Sequence, residues 1–207
     1  MTVTVSDPGT VLVCAAHFHG RTDSLGGRTE VLVQNGRIAQ IAPNVSRPPG
    51  ARTIDLAGHT VTPGFIDCHV HLTMDATHLS TQLLDSTATK VLVGLRLAND
   101  YLDQGFTTLR DLGSADPDWP TVDLRNAIAV GTVEGPRLVV AAHLIGSTGS
   151  HADVSSLYPP RWHLPVSDPA DGPDAIRRQV RREHKYGSDW VKTANTGGYF
   201  SPGDRIF

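Results

Sequence analysis

Two histidines one residue apart, His69 and His71, close the apolar run Thr60–Leu72, which reads TVTPGFIDCHVHL. In a β-strand, residues i and i+2 share a face. The two imidazoles therefore project together from a strand end, and two converging imidazoles begin a metal site. A His-x-His pair by itself is common on protein surfaces. Here it ends a hydrophobic run, and the Pro63-Gly64 breaker sits just before that strand, as a domain junction requires. Asp67 lies on the same face two residues earlier, where a carboxylate can orient or bridge ligands. Cys68 points to the opposite face and reads as a small packed residue. Asp75 and His78 follow closely, but nothing in their spacing favours them as ligands.

The elements around this pair alternate. Before it, strands at Thr10–Ala16, Glu30–Val33 and Arg37–Ile41 are expected, the last two joined by Asn35-Gly36, a strong hairpin signal. Thr53–Leu56 and Thr60–Thr62 flank a further turn expected at Gly58. Residues 1–62 thus form a small β-rich module, too small for a convincing core of its own. After His71 the period changes. Leu79, Leu83, Leu84, Val91, Leu92, Leu95, Ala98 and Leu102 recur at helical steps up to Gly105. A strand at Phe106–Leu112, a helix at Val122–Val130 and a strand at Arg137–Leu144 come next. The segment Ile145–Pro169 is a long loop of the kind that is usually functional or mobile. Asp171-Gly172-Pro173 opens a helix by capping chemistry, ending at Gly187. Its Arg177, Arg178, Arg181, Arg182 and Lys185 read as a solvated face. Trp190–Ala194 is the last strand.

Strand–helix alternation implies parallel strands with right-handed crossovers. The polar candidates gather at strand C-terminal ends: His69 and His71, Arg110 and Asp111, His151 in the loop after the third strand, and Lys192 and Asn195. That edge carries the chemistry in a (β/α)₈ barrel. The expected fold is α/β, an incomplete TIM (β/α)₈ barrel of about four βα units over 63–207, preceded by a small β-sandwich-like module.

Composition narrows the function classes. The chain has 207 residues, a formal net charge of −3 and its one basic cluster on a single helix, which argues against a nucleic-acid partner. No apolar run reaches the roughly 18 residues of a membrane span. The start MTVTVSDPG lacks the pattern of a signal peptide. Two cysteines, Cys14 and Cys68, build no disulfide framework. A cytoplasmic protein is expected.

Taken together, the β-module, TPGFIDCHVH, GFTTLRDLGS, EGPRLVVAAHLIGSTGSH and YGSDWVKTANTGGYFSPGD resemble the amidohydrolase superfamily. Within it the chain is most similar to the imidazolonepropionase-like and Xaa-Pro dipeptidase (prolidase)-like branch. The resemblance implies a metal-dependent hydrolase acting on a C–N bond of a small-molecule amide or dipeptide. It implies that His69 and His71 bind the more buried metal. It implies that Lys192, carboxylated by CO₂, bridges two divalent ions, for which Zn²⁺ is the default. His151 resembles a histidine of a Gly-rich loop that approaches substrate, although Ser150 and Ala152 depart from the usual glycines there. His151 and Asn195 are the substrate-binding candidates. Arg110-Asp111 reads as a brace for strand ends, and His143 carries no assigned role.

In the family two ions share and activate a water, an Asp at the end of strand eight protonates the leaving amine, and further His ligands come from strands five and six. None of these has a counterpart in 63–207, so no catalytic acid is expected within this chain. A half-barrel exposes unpaired strand edges, which invite association. The expectation is an inactive, poorly stable or oligomeric polypeptide, or one completed by a second chain. The alternatives are a non-catalytic half-barrel fragment and a mononuclear relative of the imidazolonepropionase or deaminase kind, which would lack the bridging lysine.

Overall fold

The computed structural model describes residues 7–74, 84–159, 161–162 and 169–198. The chain divides into two compact units, Met1–Pro63 and Gly64–Phe207. The expected contributions of Asp75, His78, Leu79 and Leu83 lie outside the described residues. Among the described residues no helix is long and apolar enough to cross a membrane.

The first unit holds a four-stranded sheet of β1 (Thr10–His17), β2 (Thr29–Gln34), β3 (Arg37–Ala42) and β4 (Arg52–Val61), in the order β3-β2-β1-β4. The β2–β3 hairpin turns on Asn35 and Gly36, both at positive φ (51° and 68°), as a two-residue Asn-Gly turn requires. The turn expected at Gly58 is instead an irregularity inside one long strand. Cys14 pairs with Leu56 and Ala16 with Thr60, so β4 carries two more residues than β1 across that step. Gly58 absorbs them at φ +87°, and Asp55 accepts a hydrogen bond from the Ala57 amide at 2.8 Å. The core here is small, with Val11, Leu32 and Val45 at its centre.

The second unit is α/β. Strands β5 (Phe65–Val70), β6 (Phe106–Asp111) and β7 (Arg137–Val140) form a parallel sheet, and β8 (Leu144–Ile145) pairs in parallel with β9 (Lys192–Thr193). Helix α1 (Thr87–Asp103) separates β5 from β6, α2 (Pro120–Ala129) separates β6 from β7, and α3 (Gly172–Lys185) separates β8 from β9. Ser86 caps α1 by accepting from the Thr89 amide. Val70, Leu72, Ala98, Leu109, Val122, Leu124, Leu138 and Val140 make the core. Gly94 lets α1 approach the backbone at Leu72: a Cβ there would sit 3.2 Å from the Leu72 carbonyl oxygen.

Several expectations fail locally. Leu84 and Leu92 are exposed (73% and 68%), since the buried stripe of α1 runs instead through Lys90, Gly94 and Ala98 with Val91 and Leu95 beside it. Cys68 is exposed rather than packed. Strand β5 is not a buried strand, with Phe65 and Ile66 53% and 64% exposed at a sheet edge. The strand expected over Arg137–Leu144 breaks at 141–143 because the chain changes neighbour, from β6 to β9. The last strand shortens to two residues for the same reason: the Asp189 and Trp190 amides both donate to the Val140 carbonyl before the β8–β9 ladder begins. Asp171 does not cap α3 with its side chain. Its carboxylate accepts from the Thr148 amide (2.9 Å) and hydroxyl (2.6 Å), tying the loop after β8 to the start of α3. On α3, Arg182 leaves the solvated face and lies 5.1 Å over the Trp119 ring.

Candidate metal centre

His69 and His71 leave the end of β5 on one side, their ring centroids 5.6 Å apart and nearly edge to face. Asp67 does not reach across to bridge; its Oδ1 accepts the His69 backbone amide at 2.9 Å and so shapes the strand end. His71 Nδ1 lies 2.8 Å from the Gly113 carbonyl oxygen. A carbonyl only accepts, so Nδ1 carries the proton and Nε2 remains as the ring's lone-pair donor. Burial holds the His71 pKa below the ordinary histidine value. The Gly113 hydrogen bond opposes that shift, while the positive charges of His69, Lys192 and His151 add to it. His69, Lys192 and His151 are thus each within electrostatic reach of His71.

Lys192 opens β9, half-buried, opposite Leu144 in the ladder. His151 is placed by backbone contacts between its loop and the segment after β9. Its amide donates to the Thr196 carbonyl at 3.0 Å, and the Ala152 amide donates to the Ala194 carbonyl at 3.3 Å. Gly198 packs so closely on the His151 ring that a Cβ there would collide with it. Asn195 sits between these two contacts and is exposed.

Arg110 and Asp111 brace the strand ends as expected, and His143 has a role that the sequence did not assign. Asp111 is fully buried, its carboxylate accepting from the Leu72 amide (2.7 Å) and the Gly113 amide (2.9 Å). Burial pushes its pKa up to about 7, with the two amides pulling against the shift. Arg110 Nε donates to the Cys68 carbonyl at 2.9 Å, and its guanidinium lies 5.3 Å over the Trp190 ring. His143 turns away into a polar cluster. Its Nδ1 meets Glu183 at 2.9 Å, and its Nε2 meets the Asp116 and Asp118 carbonyls at 2.8 and 2.9 Å. Beside it, Lys90 and Asp116 form a buried ion pair at 2.6 Å. The Asp-x-Gly spacing of Asp111 and Gly113 was a further hint, since Asp commonly accepts from the amide two residues on.

Among the described residues no three His, Cys, Asp or Glu side chains converge as a metal-binding group. What the strand ends offer is two imidazoles, one with its tautomer fixed for ligation, and a lysine amine nearby. That donor chemistry fits a borderline divalent cation.

The profile of the Amidohydrolase family matches residues 60–204, and the chain belongs to that family. The fold is similar to that of a prolidase solved with N-methylphosphonate-L-proline, at a TM-score of 0.82 and 30% identity, covering 96% of this chain and 49% of that one. It is likewise similar to a Xaa-Pro dipeptidase solved with methionine in its active site, at a TM-score of 0.82 and 27% identity, covering 93% of this chain and 48% of that one. Imidazolonepropionase of Klebsiella pneumoniae (strain 342) is 56% identical over 45 residues, covering 22% of this chain and 11% of that enzyme. The chain therefore spans about half the length of the solved relatives it matches.

Proposed function

We propose that β5 to β9 with their helices are the first βα units of a (β/α)₈ barrel, and that this barrel belongs to a metal-dependent amidohydrolase cleaving a C–N bond of a dipeptide or N-acyl amino acid. The parallel pairing and the strand–helix alternation support the barrel. The exposed Phe65, Ile66, Trp190 and Val191 support it too, because such residues need cover that further strands would supply, from the same polypeptide or a second chain. Residues 1–62 would be a separate β-module. Similarity to prolidase-like enzymes supports the substrate class.

His69 and His71 would hold the buried ion. When bound, a divalent cation, zinc by donor type, supplies Lewis-acid polarisation of the amide carbonyl and acidifies water. His71 contributes by staying neutral: its depressed pKa and Nδ1–H···O=C bond keep Nε2 available at neutral pH. Lys192 would add an oxygen donor. Its neutral amine would attack CO₂: the N–C bond forms as one C=O π pair moves onto oxygen, one N–H proton leaves to solvent, and the product is an anionic carbamate. His151 and Asn195, on the two segments that bond to each other beyond β8 and β9, would contact the substrate. No acid for the departing amine is assigned in this chain.

The observation that carries this reading is the His69–His71 pair with the His71 tautomer set by Gly113. Metal content and hydrolysis of Xaa-Pro dipeptides and N-acyl amino acids, measured on the protein with its barrel complete, test it. Two ions per barrel, reduced by His71→Gln and by Lys192→Ala, are expected. Unchanged stoichiometry in Lys192→Ala rules out the bridging lysine, and unchanged uptake in His71→Gln rules out the metal centre.

A further inference from the structure

Asp111 ends β6 as a buried carboxylate, a costly group to keep in a core. Both of its oxygens are committed to backbone amides, Oδ2 to Leu72 and Oδ1 to Gly113. Those two amides stand on either side of one hydrogen bond. Leu72 directly follows His71, and Gly113 supplies the carbonyl that receives the His71 Nδ1 proton. The adjoining Leu112 amide donates to the Val70 carbonyl at 2.9 Å, so the two segments are stitched at three successive points. Gly113 adopts φ +121°, where L residues rarely sit, and a Cβ would meet Leu144 at 2.6 Å. The direction of its carbonyl is thus imposed by a turn that Asp111 closes.

We propose that Asp111 is a positioning residue for His71: by gripping Leu72 and Gly113 it aims the Gly113 carbonyl at Nδ1, locks the Nδ1–H tautomer and presents Nε2 to a divalent cation. The last clause rests on the metallohydrolase reading; the tautomer lock does not. The carboxylate never touches the cation or the substrate. It acts through a backbone carbonyl, as groups behind metal-ligating histidines commonly do.

Nitrogen-15 NMR of the histidine-labelled, metal-free protein reads the tautomer directly, with His71→Gln assigning the resonance. The wild type should show a protonated Nδ1 and an unprotonated Nε2. Asp111→Asn keeps the side-chain volume but replaces one acceptor by a donor, so one amide loses its partner and the two tautomers should mix. Asp111→Glu, which retains both acceptor oxygens, should restore the Nδ1–H form at least in part. Gly113→Ala should mix the tautomers from the carbonyl side, and it carries the test should Asp111→Asn not fold. Leu124→Val, buried in the same core, lowers stability without touching these bonds and should leave the tautomer alone. Zinc titration of the same variants should show affinity falling about 10- to 100-fold in Asp111→Asn and unchanged in Leu124→Val. A wild-type His71 protonated on Nε2 overturns the proposal. So does an Asp111→Asn or Gly113→Ala protein that is less stable yet keeps the Nδ1–H tautomer. Lack of zinc binding in every variant, with the tautomer changes intact, removes the metallohydrolase reading and leaves the positioning role standing.

Discussion

His71 and His143 both follow parallel strands of the same unit, yet they are used in opposite ways. His71 spends one nitrogen on a carbonyl and keeps the other as a lone pair. His143 is surrounded: carbonyl oxygens take one nitrogen and a carboxylate takes the other. Both ring nitrogens are thus engaged within the protein. Such a ring has nothing left to ligate with. The number of acceptors around each ring, more than its place at a strand end, separates a histidine that can do chemistry from one that joins elements together.

The comparison breaks most visibly through the polar cluster around His143. Asp116→Ala strands Lys90, which is 2% exposed, as an unpaired buried charge. A loss of about 3–5 kcal/mol in urea unfolding is expected, without loss of the His71 tautomer. Next comes Asp111. Its native pKa of about 7 stands above the ordinary 3.8, so between those values the folded state keeps a proton that the unfolded chain has released. Stability should therefore fall as pH rises from 3.8 to about 7 and level off above, by roughly 4 kcal/mol at 1.36 kcal/mol per pKa unit. Asp111→Asn should flatten that slope in denaturant titrations run across pH.

Among the described residues, His143→Ala leaves the buried Glu183 carboxylate with the Ser188 hydroxyl donating to it at 2.9 Å. A loss of about 1–3 kcal/mol is expected, with metal uptake unaltered. The smallest effect on stability should come from His71→Gln, within about 1 kcal/mol at pH 8, although metal uptake should drop sharply. A depressed histidine pKa gives stability that is present above 6.5 and is lost as pH falls through the folded value. His71→Gln should abolish this acid-side loss, which the difference between wild-type and variant unfolding curves at pH 5 and pH 8 would measure.

The local rules were readable from the sequence. The i, i+2 strand period put His69 and His71 together, Asn35-Gly36 made its hairpin, and the change from strand to helical period marked α1. What escaped depends on partners distant in sequence. Nothing within Arg137–Leu144 says that the chain will leave β6 for β9, because the competing ladders belong to residues 106–111 and 192–193. Lys90 falls on the buried face of α1, and the approach of Asp116, 26 positions away, makes its burial tolerable. Gly58 read as a turn because a glycine at positive φ serves a bulge as well as a reversal, and the register of β1 decides which. At the strand ends the histidine pair was visible and Arg110-Asp111 was readable as a brace, but the main-chain amides that Asp111 would grip were not, since no side-chain pattern encodes them.

Asp171 could have closed the first turn of α3, and a side-chain cap there is worth about 1 kcal/mol. The fold forgoes that and gives both carboxylate oxygens to Thr148. Three residues further on stands His151. The helix is left a looser beginning so that a loop gains a further anchor, and acidification strong enough to discharge Asp171, whose pKa those same bonds depress, would weaken that anchor and leave the loop held by its main-chain bonds to the segment after β9.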